Sequence, residues 1–261
     1  MKTIINILSI VLCILVLFVG QLHWNQKTST SAASSEVNES NPSSQNNGSK
    51  LTDSESLIAY TKNWPAESVD TLKADLEAGQ PFKIAILGSS ALGEGEESWP
   101  EIVKASLNDA FSQNVTVSTL TYDLTSLEFV NKDKVTDVIE EQPDLVLFEP
   151  FILKDNGLVT IDDSLENASS TIAEIKESLP DTVVLIQPSH PLHQATYYPF
   201  QVEALEQYAK DNNIPYLNHW EAWPDQDSKE IKDYLLADAS EPSAKGHQVW
   251  AEYLIDYFIA K

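Results

Sequence analysis

Short apolar runs alternate with amphipathic segments along most of the chain from Phe82 onward. The runs are rich in Val, Ile and Leu and are hydrophobic throughout, which is typical of strands covered on both faces in a parallel sheet. Five such runs with helical segments between them predict an open, doubly wound α/β fold. The predicted strands are K-I-A-I-L, V-T-V-S-T-L, D-L-V-L-F-E, T-V-V-L-I-Q and I-P-Y-L-N.

An uncharged apolar run extends from Ile4 to Gly20, directly after Met1-Lys2-Thr3. Its length is near the lower limit for crossing a bilayer and is long for the core of a signal peptide. Because no small-x-small cleavage motif follows, we interpret residues 1–23 as an uncleaved membrane anchor with Lys2 on the cytoplasmic side. A cleaved signal peptide is the alternative. Both interpretations place the rest of the chain outside the cytoplasm.

The region between this apolar run and the first predicted strand has two parts. Residues 24–53 contain almost no apolar side chains, so they are predicted to be a disordered polar linker. Residues 54–80 are predicted to form two short helices, the second of which ends at Gly79. The remaining residues, 81–261, form the predicted α/β domain.

The charge of the chain excludes one class of partner. Forty Asp and Glu residues against sixteen Lys and Arg residues give a formal net charge of −24. Such a surface repels nucleic acid, whose phosphates require positive charge. Cys13 is the only cysteine and lies in the apolar run, so the domain has no disulfide and no cysteine nucleophile.

The polar residues that follow the predicted strands are the candidates for chemistry, because ligands bind at the carboxyl ends of the strands in such sheets. A serine hydroxyl on the tight turn of Gly88-Ser89-Ser90, next to backbone amides, is a candidate nucleophile. The other polar residues predicted at this edge are Asp123, Glu149, Asn156, His190, His193, Asn218, His219 and the cluster from Asp238 to His247.

The serine turn and the block before the last helix together resemble the SGNH (GDSL-type) hydrolases. Gly88-Ser89-Ser90 is similar to the Gly-Asp-Ser of the family's first block, with Ser90 at the position of the nucleophile. In L-A-D-A-S-E-P-S-A-K-G-H, Asp238 stands at the position of the catalytic aspartate. The resemblance implies a flavodoxin-like, three-layer α/β/α fold with a Ser-His-Asp set. It also implies cleavage of lipid, aryl or carbohydrate O-acyl esters without a metal or other cofactor.

The last block departs from the family at the general base. Glu241 occupies the position of the catalytic histidine, and His247 matches a second, non-catalytic histidine of that block. A carboxylate could accept the proton of a serine only if burial raised its pKa. The predicted catalytic residues are Ser90, Asp238 and His247, with Glu241, His190 and His193 as alternative bases.

The two middle blocks, which supply oxyanion donors in the family, also match poorly. The segment T-Y-D-L-T-S has no counterpart of the second block's glycine, and F-E-P-F-I-L-K-D-N-G replaces the third block's Gly-x-Asn-Asp. Asn156 is the only asparagine near that position. The predicted oxyanion-hole and pocket residues are Gly88, Ser89, Asn156, Asp123 and Glu149.

These observations predict a membrane-tethered, extracytoplasmic serine esterase that acts on small, acetyl-like O-acyl esters of envelope glycan or lipid. Its expected partners are this ester substrate and the membrane. A catalytically weakened protein of the same fold, which binds envelope glycans or assists another surface enzyme, is the alternative. The glutamate at the base position favours it. An acyltransferase is a third option, since exclusion of water from an acyl-enzyme turns a hydrolase into a transferase.

Overall fold

The structure is a computed structural model that describes residues 54–260. The anchor predicted over 1–23 and the linker predicted over 24–53 lie outside the described residues, and both stay predictions. Within the described part, no helix is long and apolar enough to span a bilayer. Residues 54–58 are helical, and a 3₁₀ helix (Ala59–Thr61) and helix α1 (Ala66–Ala78) follow.

Four parallel strands form the sheet within the described residues, in the order β2-β1-β3-β4. This is the order of a flavodoxin-like sheet, so the strand order reverses between β1 and β3. A ligand-binding crevice is expected outside the carboxyl ends of these two strands. The strands are β1 (Phe82–Ser89), β2 (Val115–Tyr122), β3 (Leu145–Phe148) and β4 (Val183–Ile186).

The fifth predicted strand, I-P-Y-L-N, is not a strand in the structure, and this part of the prediction is wrong. The segment lies beside β4 but makes only one parallel bridge, between Tyr216 and Ile186. Ile186 N donates to Pro215 O (2.9 Å), and Leu217 N donates to Ile186 O (2.8 Å). The ladder cannot continue through Pro215 because proline has no N–H to donate.

Helices cover both faces of the sheet. Side chains of α1, α2 and α8 lie in the core on one face, and side chains of α3 to α7 lie in the core on the other. The helices after α1 are α2 (Trp99–Phe111), α3 (Ser126–Asn131), α4 (Val135–Glu141), α5 (Ile152–Asp155), α6 (Ile161–Ser178), α7 (Tyr198–Asp211) and α8 (Ala244–Phe258). Short 3₁₀ helices span Ser90–Leu92, Ser112–Asn114, His219–Ala222 and Lys229–Tyr234.

Strand β1 is hydrophobic at nearly every position because it supplies side chains to both cores. Ile84 and Ile86 belong to the core beneath α2 and α8, whereas Ala85 and Leu87 belong to the core on the opposite face. This alternation follows from the two-residue period of a strand. Strand β1 is therefore buried on both faces, and its buried polar residue, Ser89, lies at its carboxyl end.

Helices α2 and α8 pack against each other through two buried tryptophans. The rings of Trp99 and Trp250 are stacked, with centroids 4.7 Å apart and planes 21° apart. Pro100 occupies the first turn of α2, where the missing N–H breaks no helical hydrogen bond. The contact fixes α8 beneath the turn that follows β1.

Gly246 allows the first turn of α8 to approach a neighbouring backbone closely. A Cβ atom at this position would lie 2.1 Å from the carbonyl oxygen of Tyr234. Gly246→Ala should therefore lower the free energy of unfolding by about 1–3 kcal/mol, the usual cost of overpacking a core. Urea denaturation of the full-length protein measures this change.

Gly157→Ala is the matched control for this substitution. Gly157 has a φ of 79°, but a Cβ atom there would meet no atom within 4 Å. The control should cost about 1–2 kcal/mol of left-handed strain and should leave the packing of α8 unchanged. Equal stability of the wild type and Gly246→Ala would contradict the close approach of α8 to the 3₁₀ helix at Lys229–Tyr234.

Candidate active site

The two serines at the end of β1 have different environments. Ser89 is fully buried and caps the 3₁₀ helix, since its Oγ accepts a hydrogen bond from Ala91 N (3.3 Å). Ser90 is half-buried at the first position of that helix. Gly93 ends the turn with a φ of 78°, and its N–H donates to Ser90 O (3.0 Å). The structure thus presents the Ser90 hydroxyl, rather than that of Ser89, toward the edge of the sheet.

The Ser90 hydroxyl donates a hydrogen bond to a carboxylate from the neighbouring strand. Its Oγ lies 3.1 Å from Asp123 Oδ1. The contact follows from the register of the sheet, in which Ser89 is paired with Tyr122. Because the strands are parallel, the next residue of each, Ser90 and Asp123, leaves the sheet at the same place.

Lys154 on α5 completes this group of side chains, and the sequence analysis did not identify it. Its Nζ lies 2.5 Å from Asp123 Oδ1, the oxygen that also accepts the Ser90 hydroxyl. Hydrogen bonds from Lys154 and then Ser90 hold the pKa of Asp123 below its usual value of 3.8. Asp123 is therefore ionised at neutral pH. The sequence signal that could have identified Lys154 is its place shortly after the third predicted strand, in a chain with only sixteen Lys and Arg residues.

Helix α5 is fixed in place by the residue next to Lys154. The carboxylate of Asp155 is buried and accepts hydrogen bonds from Ser126 N (2.8 Å) and from the hydroxyl of Ser164. Ser126 begins α3, and Ser164 lies in the first turn of α6. This network joins the segments that follow β2 and β3, which are the segments that carry Asp123 and Lys154.

Glu149 lies behind the serine turn, at the end of β3. It is fully buried, and its Oε2 accepts a hydrogen bond from Ser89 N (2.8 Å). Burial raises the pKa of Glu149 to about 7, although the hydrogen bonds from Ser89 oppose this shift. A Cβ atom on Gly88 would lie 2.9 Å from the Cβ of Glu149, so this position requires glycine. Gly88, Ser89 and Glu149 therefore support the turn from inside.

The predicted base His247 lies beneath the serine turn, in the contact between α2 and α8. Its Nδ1 accepts a hydrogen bond from Trp99 N (3.3 Å), so the ring is neutral with its proton on Nε2. A Cβ atom on Gly93 would lie 2.4 Å from the ring's Cε1. Burial lowers the pKa of His247 to about 4. The imidazole supports the glycine of the turn.

Two of the other histidines at this edge, His190 and His219, also make contacts away from Ser90. His190 Nε2 donates to Ala239 O (3.1 Å), and burial lowers the pKa of His190 to about 4. His219 is buried, and its ring is stacked on Trp250 with centroids 4.1 Å apart. His193 is half-buried on the loop after β4. Among residues 54–260, the hydrogen bond of the Ser90 side chain is to Asp123 and none joins it to a histidine.

Asp238 and Glu241 lie on the loop before α8. Asp238 is exposed, and its Oδ1 accepts hydrogen bonds from N (3.1 Å) and Oγ (2.8 Å) of Ser240 within its own turn. Partial burial raises the pKa of Glu241, the charges of Glu94 and Asp238 raise it further, and Lys154 opposes them. The positive charge of Lys154 therefore favours the ionised form of Glu241. The assignment of Asp238 and Glu241 to catalytic positions stays a prediction.

Asn156, the predicted oxyanion residue, lies at the end of α5. Its side chain is exposed, and its N–H donates to Leu153 O (3.3 Å). Lys154, two residues earlier, is the residue of this segment that reaches Asp123. The structure thus brings together Ser90, Asp123 and Lys154, with Glu149 behind them, and it places Asn156 at the rim.

The buried carboxyl group of Glu149 should make stability depend on pH. The pKa of Glu149 is 4.5 in an unfolded chain and about 7 in the folded protein. The folded state therefore keeps this proton up to a higher pH. The stability it contributes is fully present below pH 4.5 and is lost as the pH rises through 7. Relative to Glu149→Gln, the wild type should lose roughly 2–3 kcal/mol of unfolding free energy between pH 4 and pH 8.

Urea unfolding of both proteins at each pH measures this loss. The difference between the two proteins isolates Glu149 from Asp75, Asp144 and Asp155, whose pKa values are also raised. The amide side chain of the Glu149→Gln variant keeps an oxygen that can accept the hydrogen bond of Ser89 N. A difference that stays constant across this pH range would show that Glu149 is not buried as described.

Solved structures with the same fold come from several bacteria. A GDSL-like lipase from Parabacteroides merdae has 12% identity and a TM-score of 0.57, over 68% of this chain and 95% of that chain. A lipolytic protein of the G-D-S-L family from Desulfitobacterium hafniense has 20% identity and a TM-score of 0.53, over 67% of this chain and 98% of that chain. A catalytic mutant of Axe2, an acetylxylan esterase from Geobacillus stearothermophilus, has 16% identity and a TM-score of 0.55, over 68% and 94%.

The sequence itself matches no protein-family model and no curated protein. At these levels of identity, the structural similarity concerns the fold. It agrees with the parallel strand order and with the helices on both faces of the sheet. The described part of the chain has the α/β/α fold of the SGNH (GDSL-type) hydrolases.

Proposed function

We propose that this protein is a serine ester hydrolase of the SGNH type. In this proposal, residues 1–23 tether it to a membrane, and it acts outside the cytoplasm on small, acetyl-like O-acyl esters of envelope glycan or lipid. The observation that carries the proposal is the half-buried Ser90 hydroxyl, which donates a hydrogen bond to an ionised carboxylate. The acetylxylan esterase and the GDSL-like lipase among the similar structures support this class of substrate.

The geometry supports Asp123 as the proton acceptor for Ser90. As Ser90 Oγ forms a bond to the ester carbonyl carbon, its proton passes along the existing hydrogen bond to Asp123 Oδ1. The electron pair of the carbonyl π bond moves onto its oxygen. When the tetrahedral intermediate collapses, the C–O bond to the alcohol breaks, and the alcohol takes the proton from Asp123. Water then attacks the acyl-enzyme by the same route and releases the acid.

The oxyanion in this scheme also needs a hydrogen-bond donor. The amide of Ser89 donates to Glu149, and that of Ala91 donates to Ser89 Oγ. We assign the amide of Ser90, at the first position of the 3₁₀ helix, as the backbone donor. Donors at such a position stabilise the charge of the transition state because they are already oriented before the reaction begins.

Substitution of the two reacting side chains tests this assignment. Ser90→Ala should abolish hydrolysis of p-nitrophenyl acetate by the purified full-length protein, because no other group in the scheme attacks the ester. Asp123→Asn keeps the shape of the side chain but cannot take the proton, so kcat should fall about 10²–10⁴-fold. Ser169→Ala, on the exposed face of α6, is the matched control and should leave kcat unchanged.

The same assay compares Asp123 with the predicted imidazole base. Loss of turnover in His247→Gln together with full activity in Asp123→Asn would overturn the role given to Asp123. Circular dichroism must show that His247→Gln is folded, since its ring supports Gly93. Full activity of Ser90→Ala would remove this serine from the mechanism altogether.

A binding protein of the same fold is the second candidate. The observation that favours it is the burial of His190, His219 and His247, whose imidazoles make contacts away from Ser90. An exposed aspartate with a lowered pKa is also a weaker base than an imidazole. A wild-type protein that hydrolyses no ester but retains acylated glycan in equilibrium dialysis would favour this candidate over the esterase.

A further inference from the structure

We propose that Lys154 is a catalytic residue of this site and that its ammonium group stabilises the oxyanion formed when Ser90 attacks an ester. The inference rests on the proposed function and assigns a group that the SGNH motifs of the sequence do not contain. In those motifs the third block supplies an asparagine. In this chain the nearest asparagine, Asn156, is exposed at the rim.

Lys154 lies next to the proposed nucleophile. Lys154 Nζ and Ser90 Oγ both bind Asp123 Oδ1, at 2.5 Å and 3.1 Å. The ammonium group therefore lies beside the nucleophile, because both groups contact the same carboxylate oxygen. A carbonyl group that approaches Ser90 Oγ enters the same space, where a positive charge can act on its oxygen.

During the proposed reaction, the negative charge next to Lys154 moves from one group to another. Before attack, the positive charge of Lys154 is paired with the negative charge of Asp123. When the proton passes from Ser90 to Asp123, the carboxylate becomes neutral and a negative charge appears on the ester oxygen. The ammonium group loses one anionic partner at the moment when another forms beside it. Its interaction is thus stronger in the transition state than in the ground state, which is the condition for catalysis.

Lys154 is held in place through its backbone. Its backbone lies in a four-residue helix, α5, that the buried Asp155 fastens to Ser126 and Ser164. The side chain of Lys154 is 36% exposed, so a substrate at Ser90 can reach its ammonium group. The fixed backbone thus holds the ammonium group next to Asp123 and Ser90.

Lys154→Met tests the inference, because it keeps an unbranched side chain and removes the charge. We expect kcat for p-nitrophenyl acetate, on its plateau at alkaline pH, to fall about 10²–10³-fold, the usual loss for one oxyanion donor. The KM for this neutral ester should change far less, since the interaction forms in the transition state. The acid limb of the pH profile should also move to higher pH, because the pKa of Asp123 rises without its cation.

Two further variants serve as controls. Lys154→Arg retains a positive charge and should recover most of kcat. Lys73→Met removes an exposed lysine that pairs with Asp70 at 2.9 Å on α1, remote from the serine turn, and should leave kcat and the pH profile unchanged. Circular dichroism and urea unfolding show whether each variant is folded.

The outcomes separate this inference from the proposed function. If Lys154→Met moves the acid limb but keeps the plateau kcat, the residue only sets the ionisation of Asp123, and the inference is overturned. Turnover that survives Ser90→Ala overturns the proposed function instead. If the wild type hydrolyses no ester, labelling by a fluorophosphonate, followed by intact mass, replaces turnover. Slower labelling of Lys154→Met then supports the inference, and no labelling of the wild type overturns both proposals.

Discussion

Residues that are paired in a parallel sheet leave their strands at the same edge, and the geometry of this site depends on that constraint. Ser89 is paired with Tyr122, and Leu87 is paired with Phe148. The residues that follow therefore reach one edge together, with Ser90 beside a carboxylate of the next strand and Glu149 behind it. A slip of one residue in either pairing would reverse the alternation of side chains and separate these groups.

Two carboxyl groups on either side of the serine turn differ because their surroundings differ. Burial raises the pKa of Glu149, whereas the ammonium group of Lys154 lowers the pKa of Asp123, whose side chain is 78% exposed. The inner group holds the backbone of Ser89, and the outer group holds the hydroxyl of Ser90. Opposite pKa shifts in neighbouring carboxyl groups are a property of sites that assign different tasks to similar side chains.

The sequence predicts the features that depend on local pattern. Continuous hydrophobicity identifies four of the strands, and the Gly-Ser-Ser turn identifies Ser90, because both signals lie within a few residues. The prediction of a fifth strand is wrong because a continuous ladder needs backbone N–H donors, and Pro215 has none. The contact of Lys154 with Asp123 depends on register and on the position of α5, and burial of the histidines depends on packing with tryptophans. Neither is encoded in short-range spacing.

The contact of Gly93 with the ring of His247 has a consequence for how the site is assembled. The turn that carries Ser90 follows the first strand of the sheet, whereas the imidazole beneath it belongs to α8, the last helix. A chain without α8 therefore lacks the side chain that supports the turn of Ser90. The conformation of the turn at Ser90 therefore depends on the packing of the last helix of the domain.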